Sequence, residues 1–169
     1  MGKGGGVQRD QRWFDELFSS HAPAVFRYLA RRTDRSDVDD LTADVFVVAW
    51  RRRNEVPAGA ELPWLYRTAG FVLANHRRKR TPIPLHDVAV TADAVAVVPW
   101  ADRDADIHDV LGQLSAKDRQ ILLLAGWEGL VGEQLAAVLG MNRSAADAAL
   151  SRARSRLRDA WARTDSAAG

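Results

Sequence analysis

The sequence predicts an all-α protein of two small helical domains joined by a flexible acidic linker, the second containing a helix-turn-helix. Three observations predict it. Apolar residues recur every three or four positions in one segment after another, which is the helical period. Residues 81–106 break that period with Pro82, Pro84 and Pro99, and their charge is mostly Asp. Near the C-terminus a short helix, a Gly-containing break and a longer Arg-rich helix follow one another. The expected divisions are a disordered tail at 1–10, a helical domain at 11–80, the linker at 81–106, a second helical domain at 107–163 and a tail at 164–169. Units of roughly 70 and 55 residues are near the small end for independent stability. They are therefore expected to pack together or on a partner.

Each element has its own local reason. Trp13, Phe14, Leu17 and Phe18 fall at helical spacing. Pro23 suits a helix's first turn, and Val25, Phe26 and Leu29 continue from it to about Arg32. Ser36-Asp37-Val38-Asp39 has the layout of a capping box with Asp in place of Glu. Behind it Leu41, Val45, Val48 and Ala49 line one side of a helix. Pro57, Gly59 and Pro63 mark a loop, and Pro63 fits the start of a helix carrying Trp64, Leu65, Thr68, Phe71, Val72 and Asn75. That helix ends in Arg77-Arg78-Lys79-Arg80. Val88 to Val98 is β-branched enough for a strand but has no second strand to pair with, so it reads as linker. Ile107, Val110, Leu111 and Leu114 make a short amphipathic helix, and Ser115 caps the next, which carries Ile121, Leu122, Leu124 and Ala125. Val131–Leu139 is a short helix broken by Gly140, and Asn142 caps a last helix that turns Ala146, Ala149, Leu150, Ala153 and Leu157 inward.

Composition excludes several classes of chemistry. The 169 residues contain no Cys, so disulfides, iron–sulfur clusters and a thiol nucleophile are absent. The four His are scattered, and no Gly-rich phosphate loop or nucleophile elbow occurs. The expectation is a protein that is not an enzyme and takes no cofactor and no metal. No run approaches the roughly 18 apolar residues of a membrane span, and the Gly-rich N-terminus lacks the apolar core of a signal peptide. A cytoplasmic protein without membrane insertion is expected.

Charge is distributed unevenly. Residues 1–80 hold 15 Lys and Arg against 10 Asp and Glu; residues 81–118 hold 2 against 7; residues 119–169 hold 7 against 5. Two basic segments flanking an acidic one fit a polyanion partner. They also fit ordinary solvated helix faces. Within the basic segments, the last two helices read either as a DNA-reading pair, with Arg143 and Ser144 at the base edges and the later Arg residues on phosphate or solvent, or as an αα-hairpin in a packed bundle with a solvated Arg face. Trp64 to Arg80 interleaves aromatic rings with cations, the pairing that unpaired nucleotides require, and Tyr66 is the aromatic residue expected to be exposed. Asp37, Asp39, Asp40 and Asp44 form an acidic cluster with three readings: a docking surface, a magnesium-diphosphate site, or a helix start that favours negative charge.

Taken in order, these segments resemble one family, the extracytoplasmic-function group of bacterial sigma factors, over about residues 11–161. Asp39-Asp40-Leu41-Thr42-Ala43-Asp44-Val45-Phe46 through Trp50 is similar to the family's polymerase-binding helix. Trp64-Leu65-Tyr66-Arg67-Thr68-Ala69 resembles the opening of its promoter-melting helix. Leu114-Ser115 through Arg119, Trp127-Glu128-Gly129-Leu130, Leu135-Ala136 with Leu139-Gly140, and Arg152-Ala153-Arg154 with Leu157-Arg158 resemble its second DNA-binding domain. The resemblance implies a transcription initiation factor that binds core RNA polymerase, directs it to specific promoter DNA and assists melting, with an anti-sigma factor as a further partner. It implies Asp40, Leu41, Asp44, Phe46 and Trp50 as polymerase-binding residues. The implied DNA-binding residues are Tyr66, Arg67, Phe71, Asn75, Arg77, Arg78, Lys79 and Arg80 in the first domain, and Arg143, Ser144, Ser151 and Arg152 in the second. The linker would thread into the polymerase.

Three departures from the family pattern stand out. Gly70-Phe71 replace the usual Arg-Asn, which leaves Phe71 as either a stacking ring or core. Asp147-Ala148-Ala149 stand where Lys or Arg is common, and Ala125 replaces a frequent DNA-contacting Arg. A carboxylate in that place repels phosphate. The alternative reading is a sigma-like interaction protein that binds polymerase or an anti-sigma partner and reads DNA weakly.

Overall fold

The computed structural model describes residues 9–80 and 105–167. Among these residues the chain forms seven α-helices, a single 3-10 turn and no strand. Most of the expected linker, including Val88 to Val98, lies outside the described residues.

Helix α1 (Gln11–Ala30) starts where the Asp10 carboxylate accepts a hydrogen bond from the Trp13 amide at 3.1 Å. Pro23 lies inside this helix rather than opening a second one. The apolar stripe explains why. Leu17, Val25, Tyr28 and Leu29 are buried along one continuous face, and Pro23 sits on the exposed face, where water can serve the carbonyl it leaves unbonded. Helix α2 (Arg35–Arg51) starts one residue before Ser36, and its N-cap Asp34 makes no side-chain capping bond. The expected capping box at Ser36 is therefore not formed. Asp37 reaches across to the next long helix instead, 3.2 Å from His76 Nε2 and 2.7 Å from Arg80 Nη1.

A 3-10 turn at Arg53–Glu55 and buried Val56 lead through the Pro57–Ala60 loop into helix α3 (Glu61–Arg80). Pro63 lies in its first turn, where a missing amide costs nothing. Leu65, Tyr66, Thr68, Ala69 and Leu73 are its buried face. Helices α1, α2 and α3 pack pairwise into a three-helix bundle.

The second unit begins with α4 (Ala105–Gly112), two residues before the expected boundary at 107. Helix α5 (Ala116–Gly126) is capped by Ser115, whose hydroxyl accepts from the Asp118 amide at 3.1 Å and donates to its carboxylate at 2.9 Å. Both Asp118 oxygens accept from Arg156 Nη1, at 2.9 and 2.8 Å, which ties α5 to the last helix. Helix α6 (Gly132–Leu139) ends at Gly140. The Asn142 carboxamide oxygen then accepts from the Ala145 amide at 2.8 Å, capping α7 (Arg143–Ala167). This last helix runs beyond 163, so most of the expected tail is helical.

Helix α3 packs on α6, so the two units touch, as their small size predicts. One buried cluster runs from Leu17, Leu29 and Leu65 in the first unit to Ile121, Leu135 and Leu150 in the second. A smaller cluster of Val110, Leu111, Leu114, Leu123 and Ala160 holds α4 against α5 and α7.

Gly140 sits at this junction with φ +67°, a left-handed conformation that costs a residue with a Cβ about 1–2 kcal/mol. A Cβ there would also stand 3.3 Å from Arg67 Nη2 of the other unit. Gly140→Ala is expected to lower the urea midpoint by that amount of stability, with the denaturant slope unchanged.

Candidate functional site

Three surfaces carry the candidate residues. The first is on α2. Asp40 and Asp44 are exposed, and Val47, three residues further along the same helix face, is 45 % exposed. Leu41 and Phe46 are buried beneath, and Trp50 is partly buried. An aromatic cluster braces this face from α1. Phe18 meets Phe46 edge-on at 4.8 Å, Phe14 meets Trp50 at 5.3 Å, and the Arg53 guanidinium lies 4.6 Å from the Trp50 ring centre. Phe18 is itself 46 % exposed. The surface therefore combines two carboxylates with the exposed apolar side chains Val47 and Phe18. Sequence reasoning passed over Phe18 and Val47 as recognition residues, because helical periodicity cannot tell an apolar residue at the rim of a core from one inside it.

The second surface is α3. Arg67, Phe71, Asn75, Arg78, Lys79 and Arg80 are exposed. The Arg67 guanidinium lies 5.8 Å from the Phe71 ring centre. Phe71 is 46 % exposed, which resolves its two readings in favour of an available ring. Asn75 accepts a hydrogen bond from Arg78, and Arg80 pairs with Asp34 and Asp37. Tyr66 corrects an expectation: it is only 5 % exposed, with its ring 5.2 Å from that of Tyr28. Arg77 is half-buried and donates to the Arg32 carbonyl at 2.6 Å.

Burial raises the phenol pKa of both Tyr28 and Tyr66, and the negative charge of Glu128 adds to it in each case. A group whose folded pKa is raised binds its proton more tightly when folded. Its stabilising contribution is complete below the unfolded value near 10 and is lost as pH rises through the higher folded value. Alkaline unfolding above about pH 10 is expected, and Tyr28→Phe should flatten that loss in a denaturation series against pH.

A contact between the units lies near Tyr66, whose hydroxyl feels the charge of Glu128. The loop after α5 carries Glu128, whose side chain is 1 % exposed. Its carboxylate takes three hydrogen bonds from the end of α1: from Arg31 Nη1 at 3.1 Å, Arg32 Nη1 at 3.0 Å and Arg32 Nη2 at 3.2 Å. Arg32 also stacks on Tyr28, 3.7 Å from its ring centre, and Arg31 lies 5.4 Å from the Trp127 ring centre. The sequence marks Arg32 only as a helix end and Glu128 only as part of the Trp127–Leu130 motif, with no sign that they pair, and it does not mark Arg31 at all. Their separation of 96 and 97 positions hides the pairing, and the available signal was an Arg-Arg step directly behind an apolar stripe.

The third surface is the start of α7. Arg143, Ser144, Ser151 and Arg152 are all exposed there. Arg143 Nε lies 3.6 Å from Asp147, and its guanidinium runs beside Gly132, where a Cβ would stand in ordinary van der Waals contact at 3.5 Å. Val131, Asp147, Leu150, Ser151, Arg154 and Arg158 line a shallow groove beside it. Among the described residues no three His, Asp or Glu side chains gather as ligands for an ion. Among the same residues no helix is long and apolar enough to cross a membrane.

Comparison with known proteins follows this division. The model of sigma-70 region 2 matches residues 17–83, and that of sigma-70 region 4 matches residues 104–157. The RNA polymerase sigma factor NccH of Alcaligenes xylosoxydans xylosoxydans is 29% identical over 89% of this chain and 88% of its own length. The RNA polymerase sigma factor CnrH of Cupriavidus metallidurans is 26% identical over 88% and 86%. Two solved structures share the fold. The sigma factor RpoE, in complex with the anti-sigma factor NepR from Bartonella quintana, matches with a TM-score of 0.60 at 23% identity, covering 88% of this chain and 96% of that one. CnrH in complex with the cytosolic domain of CnrY matches with a TM-score of 0.60 at 24% identity, covering 89% and 88%.

Proposed function

The chain belongs to the extracytoplasmic-function group of bacterial sigma factors, and from that membership we propose how its surfaces divide the work of starting transcription. It is a transcription initiation factor that acts with core RNA polymerase and promoter DNA. The α2 face docks on polymerase: Asp40 and Asp44 make the outer contacts, while Leu41, Phe46 and Trp50 hold the helix in place. The exposed residues of α3 take the melted strand. Arg67, Arg78, Lys79 and Arg80 meet its phosphates, and Phe71 supplies a stacking ring where the family's Asn is missing. Asn75 joins them from the same exposed surface, and Arg77 and Tyr66 follow once the units separate. Arg143, Ser144, Ser151 and Arg152 meet the upstream duplex element. The protein works in the cytoplasm, transfers no chemistry of its own, and has an anti-sigma factor of the kind that RpoE and CnrH bind as its restraining partner.

The observation that carries this reading is the presence on one chain of the α2 face, with its exposed carboxylates and apolar side chains, and a helix-turn-helix with its reading end exposed. Run-off transcription with core polymerase and genomic promoter fragments tests it. Initiation from a subset of fragments only when this protein is added is the expected result; no added initiation from any fragment would refute it. The Arg143–Asp147 pair favours a second reading, a polymerase-binding protein that reads DNA weakly. Normal polymerase binding without promoter opening would single it out.

A further inference from the structure

The geometry points to a phosphate-binding site for single-stranded DNA formed by Arg31 and Arg32 at the end of α1, which Glu128 occupies as an internal substitute while the two units are packed together. This inference rests on the promoter-melting role proposed above for the first unit.

Four observations support it. The first is the fork geometry. Arg32 presents Nη1 and Nη2 to the two Glu128 oxygens at 3.0 and 3.2 Å, and Arg31 adds a third donor at 3.1 Å. Two parallel N–H donors match the non-bridging oxygens of a phosphodiester as well as they match a carboxylate. The second is a leftover donor. Arg32 is 1 % exposed, and among the described residues its Nε has no hydrogen-bond partner. A buried donor without an acceptor is costly. A carboxylate has only two oxygens to offer this pair of arginines, whereas a phosphodiester has four.

The third observation is charge. Arg27, Arg31 and Arg32 all act on the Tyr66 hydroxyl, and Arg32 and Arg77 act on that of Tyr28. Glu128 is the carboxylate that Arg31 and Arg32 share. Withdrawing the second unit takes that shared carboxylate from the pair, which is the condition that draws an anionic backbone. The fourth is the neighbouring ring. The Tyr66 hydroxyl feels the charges of Glu128, Arg31 and Arg32, and its ring packs 5.2 Å from that of Tyr28, on which Arg32 stacks, so the cations and two aromatic rings are neighbours. A cation fork beside a ring is the arrangement that holds an unpaired nucleotide by its phosphate and its base. One side chain therefore links two states. With Glu128 in place, the units are closed and the site is filled; with DNA in place, Glu128 is displaced and the units are open.

The test uses full-length protein and a fluorescent oligothymidine strand, with affinity measured by anisotropy over a salt series. Unit separation is followed in parallel by small-angle scattering. Glu128→Ala should open the molecule and bind the strand about tenfold more tightly. Its salt dependence should steepen by about 0.7, the increment for one further phosphate on a single strand. The pair Arg31→Ala with Arg32→Gln should also open the molecule, since it breaks the same contact, but gain no affinity. Adding that pair to Glu128→Ala should abolish the gain. If the Arg32 change impairs folding, Arg31→Ala alone, at a side chain that is 36% exposed, should remove a clear part of the gain. The inference is overturned if Glu128→Ala binds no more tightly than the parent, or if the gain survives loss of the arginines. Run-off transcription by the unaltered protein is scored separately. Its failure would remove the promoter-melting role, while the oligothymidine results would still decide whether the arginines hold phosphate.

Discussion

Asp40→Lys combined with Asp44→Lys is expected to cost on the order of a hundredfold in affinity for core polymerase, because juxtaposing like charges across an interface costs several kcal/mol. The fold should be unaffected. Both carboxylates are exposed, and among the described residues neither carries an ion pair, so stability should change by less than about 0.5 kcal/mol. Val47→Asp should have a similar effect through a different route, by placing a charge on an exposed apolar side chain of the face. Competition binding against the unaltered protein, with circular dichroism of each variant as the folding control, checks both. If all three substitutions leave binding intact, the docking face is elsewhere on the molecule.

The second large effect concerns stability. Leu65 is fully buried on α3 and belongs to the cluster that continues into the second unit. Leu65→Ala removes three carbons from a packed site and leaves a cavity, at a cost of about 3 kcal/mol. For a marginally stable protein that is a large share of the total. Because the cluster crosses the boundary, the loss should appear in probes of both units at the same urea concentration. Trp127 reports the second unit and Trp13 the first. Separate midpoints for the two would mean that the units unfold independently.

Much of this fold was legible in the sequence because its punctuation is local. Ser115, Gly140 and Asn142 each act within three or four residues of their own position, and each does in the structure what its chemistry predicts. The misreadings came from interactions that override local rules. Pro23 is a first-turn residue by propensity, yet the apolar stripe on either side of it buries as one face and carries the helix through. Ser36 has the chemistry of a cap, but α2 starts before it, and Asp37 is drawn to His76 and Arg80 on another helix. Tyr66 has nothing near it in sequence to cover it, yet it is buried, with its ring against that of Tyr28 on another helix. The Arg31–Arg32–Glu128 contact was least legible of all. Single charged residues are normally solvated, and only the fold brings these three together and removes the water.

The distance along the chain between Arg32 and Glu128 also has a meaning during synthesis. Chains are made N-terminus first at about 5–20 residues per second, so the three-helix bundle leaves the ribosome a few seconds before the acid that neutralises its arginines. For that interval the newborn protein carries Arg31 and Arg32 without the carboxylate they later share, close to messenger and ribosomal RNA. Completion of the second half then both finishes the fold and ends that exposure.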